Sequence, residues 1–334
     1  MPLSIDFARS LIGALDEPAL IIEGSRTVAA NDAARALLGQ RIEGADVRIA
    51  IRHPEALRTI LSEDVADLEL VGVGSPDRPW LVSVRPIAHG RTLVRLVDQS
   101  AGRAAERMRV DFVANASHEL RTPLATIAGY AETLADEDGV DEDTRRRFGS
   151  VIHGETRRML QIVEDLMSLS RIEAERFLAP RESIDLAEVA RLAADQARPL
   201  CTRQSCSIDL QIQDELPSIA GDFAQLLQVV DNLVSNALRH GCTKPGCSIT
   251  VEVRSDAGRA LVAIRDTGEG IPAEHLPRLT ERFYRVDAAR SRDGGGTGLG
   301  LAIVKHIVER HRGTLDIRST PGRGTSVEVR LPLS

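Results

Sequence analysis

Aromatic residues are scarce. The 334 residues hold six Phe, two Tyr and one Trp, 3% of the chain. A core with so few rings must rest on Leu, Ile, Val and Ala, which favours helix-rich and α/β packing. The same scarcity argues against a platform that stacks nucleic-acid bases on rings. No run of about 18 apolar residues occurs, so no transmembrane helix is predicted. The apolar stretch Leu11–Ile22 is broken by Asp16, Glu17 and Pro18. A basic tail is also missing: the 42 Lys and Arg are scattered and the formal net charge is −7. That balance suits solubility rather than a nucleic-acid partner. Cysteine is limited to Cys201, Cys206, Cys242 and Cys247, with no signal peptide ahead of them. A reducing, cytoplasmic setting with free thiols is the expectation. The two Cys-x4-Cys pairs can in principle form one zinc site, but small apolar residues near strand ends are the simpler reading.

What is present divides into three parts, a multidomain α+β chain. Residues 1–98 carry short strand-like runs at Ala19–Ile22, Leu68–Val73, Trp80–Arg85 and Thr92–Val97, with a helix-like stretch at Asn31–Leu38. Glu55–Asp67 reads equally as helix or loop. Residues 99–178 show helical periodicity alone. From Phe148 the residues Ile152, Met159, Ile162, Leu166 and Leu169 recur in steps of four and three, with Glu155 the polar break. The segment 101–136 is also helical, and Asp136–Asp141 makes the turn between them. A two-helix hairpin cannot bury such a seam alone, so a homodimer forming a four-helix bundle is predicted. Residues 179–334 alternate helix and strand, from Leu186–Arg198 to Thr325–Leu331, and read as a two-layer α/β sandwich.

In that last part, Asp222–Arg239 is an amphipathic helix with Asn232 and Asn236 on one face. Amide oxygens can coordinate a hard cation such as Mg2+. Asp266-Thr-Gly-Glu-Gly-Ile-Pro272 follows a strand; Gly268 and Gly270 allow close backbone approach to a flat ligand, and Asp266 can accept from an amino group. Gly294-Gly-Gly-Thr-Gly-Leu-Gly-Leu301 then opens a helix, which makes an anion cradle of free N–H groups. It fits neither the dinucleotide nor the P-loop pattern.

The order of these elements resembles the ATP-binding domain of histidine kinases, the Bergerat fold shared with gyrase-type ATPases and Hsp90-type chaperones. The asparagine box is Asp231–His240, the first glycine box Asp266–Gly270, the phenylalanine box Glu281–Asp287, the second glycine box Gly294–Gly300, and a closing turn is Pro321–Thr325. The resemblance implies that Asn236 holds Mg2+, that Asn232 assists near the phosphates and that Asp266 reads adenine. Arg285 and Arg239 would face the phosphates. The site would be completed by His240, Gly268, Gly270, Ile271, Phe283, Tyr284, Gly296, Thr297, Gly298, Leu299, Gly300 and Thr325, with Phe283–Gly298 a mobile lid. The family often has Lys and Tyr where this chain has Arg239 and His240; arginine keeps the charge but changes the geometry.

The helix near residue 118 reads Phe112-Val-Ala-Asn-Ala-Ser-His-Glu-Leu-Arg-Thr-Pro-Leu124. Pro123 inside a helical pattern removes a hydrogen bond at a cost of about 3 kcal/mol. The segment resembles the phosphoacceptor box of the largest histidine-kinase class. That implies His118 as nucleophile, Glu119 as the group that accepts a proton or orients the ring, and Thr122 as the residue positioning water for dephosphorylation of a response regulator. Arg285 joins these as a catalytic residue. The expected partners are a second copy of the chain and the receiver domain of a response regulator. Residues 1–98 resemble a PAS domain, carried by Asp16–Ile22, Val28–Gly39 and the ending Val97-Asp-Gln-Ser100. The whole arrangement resembles phosphate-responsive sensor kinases. Many such relatives are membrane-anchored, so the chain as given is either cytoplasmic or the cytosolic part of an inner-membrane sensor. Two other readings compete: another ATPase of the same fold, and a non-catalytic scaffold that binds a regulator.

Overall fold

The computed structural model describes residues 5–75, 77–136, 141–175, 178–242, 246–286 and 296–333. The chain forms two compact units, Met1–Asp111 and Phe112–Ser334.

The first unit is built on an antiparallel sheet of β1 (Ala19–Glu23), β2 (Arg26–Ala30), β3 (Ala66–Val71), β4 (Pro79–Ile87) and β5 (Arg91–Asp98), in the order β2-β1-β5-β4-β3. Period-two alternation explains its layering. Leu20 and Ile22 of β1 join Trp80, Val82, Val94 and Leu96 in one core, beneath α2 (Asp32–Leu38), α3 (Val47–Ala50) and α4 (Pro54–Leu61). Ala19 and Ile21 face the other way, onto Ala8 and Ile12 of α1 (Ile5–Gly13). The ambiguous segment 55–67 divides into α4 and the start of β3. Asn31 is not the first helical residue but the cap: its buried Oδ1 accepts from Ala34 N at 2.9 Å and Ala19 N at 3.0 Å. At the far end of β5, Asp98 Oδ1 accepts from Ser100 N at 2.8 Å, where α5 (Ser100–Asp136) begins.

In the second unit, α5 runs through Pro123 and pairs with α6 (Glu142–Ala174). Tyr130 and Phe148 pack with tilted rings, centroids 4.7 Å apart, and Arg158 Nη2 meets Glu119 Oε2 at 2.9 Å, so the helices lie antiparallel. Part of the expected turn, 137–140, lies outside the described residues; Asp141 caps α6 by accepting from Thr144 N. Ile162, Asp165, Leu169 and Ile172 are the buried positions of α6, and Leu160, Val163 and Met167 are exposed.

The sandwich contains β7 (Ser207–Ile212), β9 (Ser248–Asp256), β10 (Arg259–Asp266), β11 (Thr314–Thr320) and β12 (Gly324–Pro332), ordered β11-β12-β10-β9-β7, with β7 parallel to β9. A separate two-stranded sheet is formed by β6 (Glu182–Ile184) and β8 (Ile219–Gly221), paired antiparallel. Helices α7 (Leu186–Arg203), α8 (Phe223–Asn236) and α9 (Gly300–Arg310) bury Val189, Leu226, Val230, Ile303 and Ile307 against Ile249, Val251, Val262 and Val329. Helix α7 continues past the predicted end at Arg198, through Pro199. Helix α8 stops at Asn236 and a π-helical turn, Ala237–Gly241, follows.

The free-thiol expectation is corrected for one pair. The end of the π turn and the approach to β9 bring Cys242 and Cys247 to a Cα separation of 5.3 Å, and they form a disulfide; Cys201 and Cys206 are free thiols. Among the described residues, no three His, Cys, Asp or Glu side chains gather into a metal site, and no helix is long and apolar enough to cross a membrane.

Candidate nucleotide and phosphotransfer site

A cavity of about 1040 Å3 opens beside α8. Asn232 and Asn236 line it because they are one turn apart on the helix. The wide π turn then carries Arg239 and His240 to the same cavity and ends with Gly241 against Asp266; a Cβ at Gly241 would lie 2.5 Å from Asp266 Cγ. Burial lowers the basicity of His240, and the charges of Arg239 and Arg285 add to that effect, which favours the neutral ring.

Asp266 closes β10. Its Oδ1 accepts from Gly268 N at 2.9 Å and Thr325 N at 3.2 Å, and burial pushes its carboxyl up from the ordinary range. No other side-chain bond engages Asp266 among the described residues, and the residue lines the cavity. Gly268 and Gly270 are forced by crowding. A Cβ at Gly268 would stand 2.0 Å from Gly241 O, and one at Gly270, which also has φ +69°, 2.1 Å from Thr320 O. Ile271 N donates to Ser319 Oγ at 2.7 Å, and Tyr284 Oη lies 2.7 Å from His275 Nδ1.

The phenylalanine-box segment meets the glycine loop directly. Phe283 N donates to Gly298 O at 2.8 Å, with Phe283 at φ +63°, and its ring centroid is 6.0 Å from that of Phe112. Residues 287–295 of the expected lid lie outside the described residues. Thr297 is 6% exposed and donates to Asp165 Oδ2 at 2.6 Å, while Leu299 N donates back to Thr297 Oγ1 at 3.2 Å.

Of the predicted binding residues, Asn232, Asn236, Arg239, His240, Asp266, Gly270, Ile271, Tyr284, Gly296, Thr297, Gly298, Gly300 and Thr325 line the cavity together with Arg285. Gly268, Phe283 and Leu299 do not line it; Leu299 belongs to the core and Phe283 packs against that core. His118 is exposed on α5 and stands outside the cavity. Its neighbour Glu119 makes the connection, held by Arg158 at 2.9 Å and reached by Arg285 Nη1 at 3.9 Å. Thr122 is exposed, and its hydroxyl donates to His118 O at 3.4 Å.

Sequence reasoning missed Asp165, Gln161 and Gly241. Asp165 had a signal: it stands in the three-four-three spacing Ile162, Asp165, Leu169, Ile172, a carboxylate at a position the apolar seam otherwise fills. Gly241 was hidden because its need is set by Asp266, distant in sequence.

Comparison with known proteins agrees with this geometry. Residues 221–334 match the histidine kinase-, DNA gyrase B- and HSP90-like ATPase family, and residues 108–175 match the His Kinase A (phospho-acceptor) domain. The phosphate regulon sensor protein PhoR of Pseudomonas aeruginosa is 36% identical over 307 residues, covering 89% of this chain and 67% of that protein. The probable sensor histidine kinase TcrY of Mycobacterium tuberculosis is 40% identical over 249 residues, 73% of this chain and 51% of that protein. The histidine kinase ThkA, solved in complex with the response regulator protein TrrA, shares the fold with a TM-score of 0.53 and 18% identity, covering 97% of this chain and 98% of that one. The chain belongs to the sensor histidine kinases of two-component systems and is similar to PhoR-type members. Its second unit accordingly combines the family's helical phosphotransfer hairpin with an α/β ATPase domain.

Proposed function

We propose that this chain autophosphorylates His118 from Mg·ATP, passes the phosphoryl group to an aspartate of a response regulator, and also dephosphorylates that regulator. The observation that carries the reading is the single cavity that gathers the asparagine helix, Asp266 and the glycine loop, with Arg285 reaching from it to Glu119 beside His118.

The residues present fit the nucleotide. The cavity has the volume of a cofactor site. Asp266 Oδ2 would accept from the adenine amino group, His240 would stack, and Arg239, Arg285 and the N–H groups opening α9 would face the phosphates. Asn236, with a hard amide oxygen, would hold Mg2+, which supplies charge neutralisation at the phosphates. In the transfer, the bond from the γ-phosphorus to the oxygen of departing ADP breaks as a bond to one ring nitrogen of His118 forms. Glu119 takes or orients the proton of the other nitrogen.

The chain would act as a homodimer. Val113 and Leu124 of α5 and Leu160, Val163 and Met167 of α6 are 45–58% exposed. Their spacings of eleven, three and four residues make helical stripes that a second hairpin would cover. Residues 1–98 would be a PAS-like relay module, 99–178 the phosphotransfer hairpin and 179–334 the catalytic domain; the β2-β1-β5-β4-β3 antiparallel sheet supports the first assignment.

The test is incubation with labelled Mg·ATP. Acid-labile label on wild type and none on His118→Gln is expected, and label on both would sink the assignment. Thr122→Ala should spare autophosphorylation and impair regulator dephosphorylation; equal loss of both would assign Thr122 only its bond to His118 O.

A further inference from the structure

The buried carboxylate of Asp165 has no role in the reaction as described, yet it sits where the reaction is prepared. Asp165 is 5% exposed on α6, the second helix of the hairpin. Its Oδ2 accepts from Thr297 Oγ1 at 2.6 Å and its Oδ1 from Gln161 Nε2 at 2.9 Å. Thr297 in turn accepts from Leu299 N at 3.2 Å, immediately before α9. One carboxylate on the hairpin therefore holds the threonine that fixes the glycine loop at the head of α9.

The same carboxylate lines the nucleotide cavity along with Asn236, Arg239 and Arg285. Burial pushes Asp165 towards its neutral form, while the bonds from Thr297 and Gln161 and the charge of Arg239 pull it back. An ATP tail would bring several negative charges into that cavity. Like charges within a few ångströms in a poorly solvated site repel strongly. Arg239 and the loop at the head of α9 cannot serve Asp165 and the terminal phosphate equally.

We propose that Asp165 is a positioning residue whose carboxylate occupies the place of the terminal phosphate. It latches the glycine loop to α6 until a nucleoside triphosphate displaces it, and so sets the site's preference between ATP and ADP. The proposal rests on the reading that the cavity binds ATP. Reciprocity follows: a signal that tightens α6 against Thr297 weakens triphosphate binding by the factor through which triphosphate loosens that contact. The uncharged contact from Ser168 Oγ to Gln228 Oε1, at 2.9 Å, also joins α6 to α8 but carries no charge. It serves as the control.

The experiment measures the affinities of the full chain for Mg·ADP and for a non-hydrolysable Mg·ATP analogue, by calorimetry. Wild type is compared with Asp165→Asn, which keeps an acceptor for Thr297 and removes the charge, and with Ser168→Ala. Asp165→Asn should tighten the ATP analogue on the order of tenfold and ADP much less, while Ser168→Ala leaves the ratio of the two unchanged. Equal shifts for both nucleotides in Asp165→Asn, or none, would overturn the latch. Failure of wild type to bind either nucleotide would overturn the ATP reading itself, and the latch with it. Hydrogen exchange on wild type decides the matter even where a variant fails to fold. Amides around Asp165 and Thr297 should exchange faster with the ATP analogue than with ADP, and identical exchange would overturn the proposal.

Discussion

Arg285 Nη1 stands 3.9 Å from Glu119 Oε2, an ion pair that joins the phenylalanine-box segment to the helix position next to His118. Arg158 holds the same carboxylate oxygen at 2.9 Å and is nearly buried. Arg158 therefore fixes Glu119, while Arg285 lines the nucleotide cavity and reaches the same carboxylate from it at the longer distance. An arginine that meets the transferring group only as charge develops acts on rate more than on binding. Arg285→Ala should lower autophosphorylation by roughly 10²–10³-fold and ATP affinity only several-fold, with Arg285→Lys restoring little because the planar fork is lost. Single-turnover labelling beside equilibrium binding separates the two effects; equal losses in both would make Arg285 a simple binding residue.

Asp266 divides its two oxygens. Oδ1 is committed to the N–H groups of Gly268 and Thr325, which tie the first glycine box to β12. In Asp266→Asn the amide oxygen takes that place and the NH2 group faces the cavity, donor against the adenine amino donor. The fold should survive, with ATP affinity falling about 10–100-fold, the cost of a charged hydrogen bond lost. Inosine triphosphate, with an oxygen at the position of the amino group, should lose less than ATP does. A variant that weakens both nucleotides equally would remove Asp266 from base recognition.

Two glycines of the same site should respond differently. A Cβ at Gly268 meets the backbone oxygen of Gly241 at 2.0 Å, and neither the end of β10 nor the π turn can yield without disturbing Asp266. Gly268→Ala should cost about 2–3 kcal/mol, a drop on the order of 5–10 °C in melting temperature. At Gly296 the nearest atom is His240 Nε2 at 3.9 Å, an ordinary contact. Gly296→Ala should keep the melting temperature and weaken nucleotide binding. Thermal melts of both variants check the contrast, and a matched loss would mean that crowding at Gly268 is relieved by loop movement.

The helices and most strands were legible because their apolar periods are local. Ile162, Leu166 and Leu169 announce a seam, and the alternation in β4 and β5 announces a half-buried sheet. The cavity-lining asparagines and glycines were legible through their order along the chain. What escaped depends on partners distant in sequence. Gly241 is required by Asp266, the Cys242–Cys247 bond by the geometry of the π turn, and Asp165 by Thr297. Helix α1 and strand β2 escaped for a different reason: each is short, and each is fixed by packing on β1 or by Asn31 rather than by its own propensity.

Asp98 offers a test of how α5 is started. Its oxygens accept from Ser100 N at 2.8 Å and Arg78 Nε at 2.8 Å. The bonds from Ser100, joined by Arg78, hold its carboxyl down from 3.8 to about 2. A depressed pKa means that the folded state prefers the charged carboxylate, so the stabilisation is complete above about pH 4 and disappears as pH falls through 2. Asp98→Asn should therefore lower the melting temperature at neutral pH, and the gap from wild type should close between pH 4 and pH 2. A carboxyl titration of Asp98 by NMR in the full chain reads the same quantity directly. A midpoint near 3.8 would mean that Ser100 and Arg78 do not distinguish the two protonation states, and the cap at the head of α5 would then owe nothing to the charge of Asp98.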